Sequence, residues 1–290
     1  MPSKIFGRGW TPDPPDYRDY TCKTESISCM YKKMGVENIE VVQPPKYVDL
    51  REWCSPIEDQ GAFGSCTAHA GTGLIEFFIK KTYDKDFKAS TFFLYKVTRN
   101  LLGYQDDMGA FLRDTMKAMV LFGVPPEAYC TLEDINDEPS AFCYALAQRY
   151  QADEYYRLDS PGTSPCGLLH HIKVTLSLQL PLMFGFNLYA SIDEISKDGK
   201  IPFPTGSENF IGGHAVAAVG YDDNLEIENW RNEQKTTGAL LIRNSWGESW
   251  GDKGYGWLPY DYVLKGFTED WWSLLCNEWI DTGKFEMQAG

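Results

Sequence analysis

The sequence has no run of about 18 apolar residues, so none of its 290 residues is expected to form a membrane-spanning helix. Its start, MPSKIFGRGWTPDPPDYRDY, also lacks the apolar stretch of about 7 or more residues that a secretion leader needs. The default expectation is a cytoplasmic protein without a membrane partner, with leaderless or effector-type export as the alternative. Basic residues are in deficit: 27 Lys and Arg stand against 41 Asp and Glu, giving a formal net charge of −14 at pH 7. Without clustered Lys and Arg there is no counterion release to drive binding to a phosphate backbone, so nucleic acid is not an expected partner. The eight cysteines, Cys22, Cys29, Cys54, Cys66, Cys130, Cys143, Cys166 and Cys276, contain no C-x-x-C pair. That spacing argues against structural zinc and thioredoxin chemistry, and eight is too few for a disulfide-built scaffold at this length. Cys22 and Cys29 are near enough in sequence to bridge, though sequence cannot establish the pairing. No metal, no cofactor and a monomeric chain are the expectations. There are no internal repeats and no low-complexity tracts.

Residues 1–46 are rich in Pro, Asp and Tyr, with TPDPPDYRDY early and QPPKY closing the segment, and read as an extended arm without a core of its own. From Tyr47 the character changes. Apolar spacing predicts helices after Cys66 (Leu74, Ile75, Phe77, Phe78), around Phe92 to Leu102, and over Leu112, Met116, Met119 and Val120, the last stopped by Gly123-Val-Pro-Pro. After about residue 150 a further helix around GLLHHIKVTLSLQ gives way to strand patterns: PLMFGFNLY, GGHAVAAVGYD, GALLIRNSWG and GYGWLPY. A helical lobe at about 47–150 followed by a β-rich lobe at about 151–290 is an α+β arrangement with a cleft where the lobes meet.

Cys66 stands after Gly64 and Ser65 at a predicted helix N-terminus, where unpaired N–H groups and the macrodipole favour a thiolate. Gly61 and Gly64 allow close approach of backbone, and Gln60 could aim amide donors at a developing oxyanion. A nucleophilic thiol needs a base, and only four histidines exist. His69 lies on the helix of Cys66 and points into its own lobe, and His170 and His171 fall inside another helix. His214, in a Gly-rich lead into an apolar strand, is the best-placed base. Asn244 ends another apolar strand in RNSWGESWG, where its side-chain oxygen could hold the imidazole while Trp246 and Trp250 exclude water. The bland readings are a buried structural thiol at Cys66, a zinc shared by Cys66 and His69, for which further ligands are lacking, and a simple helix surface at His170 and His171.

QGAFGSC, GGHAVAAVGYD and RNSWGESWGDKGYG together resemble the papain-like cysteine peptidases, in the form typical of the bacterial branch, over about residues 47–262. The resemblance implies a two-lobe α+β fold, a helical N-terminal lobe and an antiparallel β-barrel-like C-terminal lobe with the active-site cleft between them. It implies Cys66 as nucleophile, His214 as general base and acid, Asn244 as the orienting residue, and Gln60 with the Cys66 N–H as oxyanion donors. Gly109, Met108, Gly185, Gly213, Ala215 and Trp246 match substrate-binding positions. Three positions depart from the family pattern: Phe63 replaces a common disulfide cysteine, Thr67 a common tryptophan, and Met108-Gly109 the paired glycines of the groove wall. Asn244 follows His214 by 30 residues, and the charged NLEIENWRNEQKTTG accounts for the extra length as a surface hairpin. The implied activity is cysteine-type endopeptidase through a thioester acyl-enzyme, acting on peptide or protein. The alternatives are acyl transfer or amide hydrolysis of a non-protein substrate, and a silent peptide-binding protein. The arm, shorter than the family's usual inhibitory propeptide, is expected to lie along or across the cleft and act as an intramolecular inhibitor.

Overall fold

The computed structural model describes residues 7–132, 134–195, 198–229 and 232–287. The element order is α1 (Glu25–Lys33), β1 (Tyr47–Asp49), α2 (Cys66–Tyr83), α3 (Thr91–Leu102), α4 (Leu112–Leu121), α5 (Ala141–Ala147), β2 (Glu154–Arg157), α6 (Pro165–Ser177), β3 (Leu182–Tyr189), β4 (Phe210–Asn229), β5 (Gln234–Arg243), β6 (Tyr255–Pro259), α7 (Asp261–Leu264), β7 (Thr268–Leu275) and α8 (Asn277–Ile280). The helix patterns read from the sequence fall on α2, α3, α4 and α6, and the strand patterns on β3 to β6.

α2 is buried along nearly its whole length because it is covered on both sides, by α3 and α4 and by β4. That is why its sequence, CTAHAGTGLIEFFIKKTY, is apolar almost all round rather than striped. α4 ends where Gly123, at φ +77°, turns the chain so close to the Ala147 carbonyl that a Cβ would lie 2.0 Å from its oxygen.

All strands pair antiparallel in the order β2-β7-β3-β4-β5-β6, with β1 added along β4. β2 and β6 stay as separate edges among the described residues, so the sheet is open where a barrel-like closure was expected. β4 is the longest strand among the described residues, and its register with β5 runs from Glu226 opposite Thr237 out to Asn229 opposite Gln234, forming the two arms of the predicted surface hairpin.

The first 46 residues are more than an extended arm. Ile27, Met30 and Tyr31 on α1 are buried, and the Tyr31 hydroxyl bonds those of Tyr156 (2.7 Å) and Thr175 (3.0 Å). The Pro-rich composition hid a nine-residue helix whose apolar face needs the β-rich half to cover it. All eight cysteines are free, Cys22 and Cys29 included.

Candidate active site

The chain enters α2 through Gly64 and Ser65, and Cys66 is the first helical residue, fully buried. The Ser65 side chain makes no capping bond, so first-turn amides stay open. The N–H groups of Cys66 and Thr67 face the Cys66 sulfur, as do those of Ala215 and Gly9. Ala215 follows His214 on β4, so the thiol lies against the strand that carries the imidazole.

His214 is fully buried on β4, paired with Phe186 of β3. Its Nε2 hydrogen donates to Asn244 Oδ1 at 2.7 Å, and the same oxygen accepts the Ser245 N–H at 2.8 Å. With the proton on Nε2, Nδ1 carries the lone pair and has no hydrogen-bond partner. Trp246 stacks on the imidazole at 4.5 Å between ring centres, and Trp250 meets Trp246 edge-on at 5.6 Å. Ser245 also holds Gln60: its Oγ donates to Gln60 Oε1 at 2.5 Å and its carbonyl accepts the Gln60 N–H at 2.8 Å. Gln60 Nε2 donates one hydrogen to Phe63 O at 2.8 Å, which leaves its other hydrogen as the outward donor.

Residues 7–13 run through this cleft. The Gly7 carbonyl accepts from Gln60 Nε2 at 3.2 Å, and the Gly7 N–H donates to Gly61 O at 2.8 Å. Arg8 Nη1 donates to Ile211 O at 2.5 Å. The Gly9 carbonyl accepts the Ala110 N–H at 2.8 Å, and Trp10 bridges in parallel to Ala110. Trp10 is buried in a slot that exists because two residues have no side chain: a Cβ on Gly185 would lie 1.9 Å from the indole, and one on Gly213 2.6 Å. The indole N–H donates to Asp270 Oδ2 at 3.0 Å, which also takes the Asp13 N–H at 2.9 Å.

Of the pocket residues read from the sequence, Gly109, Gly185, Gly213 and Ala215 lie around the arm or the thiol. Trp246 shields His214 instead. Met108 is 63% exposed, and backbone pairing with the arm falls to Ala110, two residues on. Gly109, at φ +76°, passes so near the arm that a Cβ would sit 2.0 Å from Gly9 O.

Sequence reasoning missed Asp270, Ala110 and Asp107. Asp107 accepts the Gly64 N–H at 3.0 Å and the Tyr95 hydroxyl at 2.5 Å, and that hydroxyl takes the Gly109 N–H at 3.1 Å, tying the turn before Cys66 to the groove wall. The run of two aspartates before Met108-Gly109 was the available signal. Asp270 had none, for its φ of +59° is unforeseeable in TEDWW.

His69 lies on α2 as expected, with Nδ1 3.0 Å from Ser65 O and Nε2 3.7 Å from Glu58. It lines a separate cavity of about 1200 Å³ with Ile57, Glu58, Glu76, Phe87 and Lys88, and none of Cys66, His214, Asn244 and Gln60 lines it. His170 and His171 bond Ile39 O (2.9 Å) and Glu40 (3.0 Å), fastening the arm's second half to α6. Among the described residues no group of three His, Cys, Asp or Glu is placed to hold a metal.

Burial pushes the Cys66 thiol up from its usual value, against the pull of the N–H groups around it. Burial also pushes His214 down to about 4, opposed by the bond to Asn244 and aided by the charge of Arg8. With the arm seated, burial therefore favours the neutral form of both groups.

Residues 44–263 match the model of the papain family cysteine proteases. An uncharacterised peptidase C1-like protein of Acanthamoeba polyphaga mimivirus is 31% identical over 281 residues, spanning 92% of this chain and 86% of that protein. The thiol protease aleurain of Arabidopsis thaliana is 25% identical over 79% of this chain and 59% of its own length. Among solved structures, xylellain, a cysteine protease from Xylella fastidiosa, superposes with a TM-score of 0.74 at 31% identity, covering 95% of this chain and 98% of that one. By sequence model, by relatives and by fold, the chain belongs to the papain family of cysteine proteases.

Proposed function

We propose that this cysteine protease is an endopeptidase working through Cys66, His214 and Asn244. The observation that carries this reading is the free, buried Nδ1 of His214, on the residue next to Ala215 whose N–H faces the Cys66 sulfur, while Asn244 fixes Nε2. Nδ1 takes the thiol proton, the thiolate attacks a peptide carbonyl, and His214 returns the proton to the leaving amine. Water, activated by the same nitrogen, then hydrolyses the thioester. Gln60 Nε2 and the Cys66 N–H receive the oxyanion. Treating the reduced chain with the epoxide E-64 and reading the intact mass tests this: one adduct on Cys66, absent in Cys66→Ala, is expected, and an adduct that persists in Cys66→Ala would sink it. Gln60→Ala should lower kcat by about 10²–10³, the loss typical of one oxyanion donor; wild-type turnover would remove Gln60 from that role.

The arm, on this reading, restricts access. Its Gly7 carbonyl takes the Gln60 donor, its Gly9 N–H faces the nucleophile, and Trp10 fills the slot beside Gly185 and Gly213. The sulfur meets an N–H, while the Gly9 carbonyl is turned away to Ala110, which explains how the arm can sit there without being cut. Trp10 also suggests what the slot takes from a substrate: a flat apolar side chain with a donor for Asp270.

Docking of the arm should respond to pH through Asp13. Its carboxylate takes the Trp272 Nε1 hydrogen (3.0 Å) and the Arg113 N–H (3.1 Å), with Asp270 beside it and Arg157 3.4 Å from Asp270. Burial and then Asp270 lift Asp13 from 3.8 to about 8, and burial lifts Asp270 to about 6. A carboxyl raised on docking favours the docked arm fully below its free value and loses that contribution as pH rises through about 8. The E-64 on-rate of the full chain should therefore rise from pH 6 to 8 more steeply than that of an arm-expelled variant such as Gly9→Val, and Asp13→Asn should remove the difference. If Asp13→Asn keeps the excess slope, Asp13 does not govern docking.

A further inference from the structure

We propose that Arg243 is a positioning residue for this reaction: it sets the catalytic helix α2 against the strand that delivers Asn244, and so fixes Cys66 relative to His214. The inference rests on the roles of Cys66, His214 and Asn244 given above.

Arg243 ends β5 immediately before Asn244, and it is 7% exposed. Its guanidinium turns away from β5 towards the other half of the molecule. Nη2 donates to Ser55 Oγ at 2.9 Å and to Pro56 O at 2.9 Å, with Ser55 O at 3.4 Å, and stands 4.0 Å from Glu76 Oε2 on α2. Ser55 Oγ donates to the same Glu76 oxygen, and the other oxygen of Glu76 takes the Ala89 N–H at 2.9 Å. Space for the guanidinium comes from Gly73, two turns after Cys66: a Cβ there would lie 2.6 Å from Nη1. The arginine thus enters a notch in the helix that bears the nucleophile.

Three consecutive residues then each hold one part of the site. Arg243 bonds the start of the 55–60 loop and fills the Gly73 notch of α2, Asn244 holds His214, and Ser245 holds Gln60 at the end of that loop. Sliding α2 along the sheet would drive the Gly73 notch against the guanidinium and pull Glu76 off Ser55, whereas Asn244 and Ser245 touch only the loop and the strands. All three hydrogen bonds leave from Nη2 while Nε is buried without a hydrogen-bond partner, so the guanidinium is seated by the shape of the notch as much as by its bonds. Burying this cation and Glu76 costs solvation that one contact at 4.0 Å does not readily return, so the arrangement is better explained by geometry than by stability. Burial raises Glu76 to about 7, opposed by Arg243.

The test uses full-length chain, with rates per active site titrated by E-64. Arg243→Ala should lower kcat by about 10²-fold, the scale of loss from a displacement of about 1 Å remote from the reacting atoms, with KM within about threefold. Added guanidinium ion should restore at least about tenfold of the loss. Gly73→Ala, which fills the notch without removing a hydrogen bond, should lower kcat in the same sense, as should Ser55→Ala. Each should shift the pH profile of Cys66 alkylation by iodoacetamide. If Arg243→Ala does not fold, Gly73→Ala and Ser55→Ala decide. Variants that melt at lower temperature but keep kcat and the alkylation profile would overturn the proposal and leave Arg243 a purely structural residue. Peptidase activity retained by Cys66→Ala would instead overturn the underlying assignment, so the two failures are distinguishable.

Discussion

His214→Ala is expected to lower kcat by about 10⁶-fold, the scale seen when the base of such a unit is removed, while the chain stays folded. The unpartnered Nδ1 is the one acceptor on His214 for the thiol proton, and the nearest other histidine, His69, has its Nδ1 against Ser65 O and its Nε2 towards Glu58. Without His214 the buried thiol keeps its proton, because burial already holds it above its ordinary value. Stability should fall less dramatically. Asn244 Oδ1 retains the Ser245 N–H, and the gap left under Trp246 costs about 2–4 kcal/mol, the range for large-to-small core changes. Because Cys66 and His214 act as one unit, the Cys66→Ala, His214→Ala double variant should be no slower than either single one. Single-turnover acylation, with circular dichroism to confirm folding, measures this. A His214→Ala enzyme within about tenfold of wild type, or a double variant whose losses multiply, would remove His214 from the proton transfer.

Much of this site is legible in the order of residues alone, for a physical reason. Cys66 and Asn244 stand at the edges of elements and His214 follows a glycine pair inside β4, each with a strong local signature: a Gly-Ser turn into an apolar helix, a Gly-Gly step into an apolar run, and an asparagine directly after β5. Such local signatures mark where a side chain can reach the space between lobes, so the pattern coincides with the proposed roles. Gln60 is legible for a related reason, since the turn at Gly61, with φ +58°, places it in the loop leading to Cys66.

What stays hidden depends on contacts between segments far apart in the chain. Asp270 matters because Trp10 reaches it across 260 residues, and nothing in either neighbourhood announces the other. Arg243 reads locally as the last strand residue, and its partners Ser55 and Glu76 lie about 170–190 residues earlier. α1 escapes a local reading because a nine-residue helix next to a Pro-rich run has weak propensity of its own and owes its order to Tyr156 and Thr175. The barrel-like closure is an expectation that comes from the family resemblance, and alternation along strands cannot decide whether the outer strands of a sheet meet.

Gly9→Val is expected to raise the E-64 on-rate of the full chain by about 10² or more without altering any residue of the protease body. A Cβ at Gly9 would lie 1.8 Å from Gly64 O, 2.4 Å from its carbonyl carbon and 2.7 Å from its Cα. Those atoms are backbone, held by Asp107 at the Gly64 N–H, and they lead directly into Cys66, so they cannot yield as a flexible side chain would. The arm must therefore leave, taking the Gly9 N–H off the sulfur, the Gly7 carbonyl off Gln60 and Trp10 out of its slot. Losing the burial of one tryptophan corresponds to about 3–5 kcal/mol, equivalent to roughly 10²–10⁴ in the docking equilibrium. Uncovering also returns water to Cys66 and His214, reversing the burial that raises the one and holds the other at about 4. The alkylation profile should consequently gain a limb at mildly acidic pH, where a thiolate and an imidazolium coexist. Trp10→Ala should act in the same direction by emptying the slot, whereas Tyr17→Ala, at a side chain 96% exposed, should change nothing. If Gly9→Val alkylates no faster than the wild type while its tryptophan emission shows that Trp10 has left its pocket, the arm does not limit access, and the low reactivity of a seated Cys66 must come from the site itself.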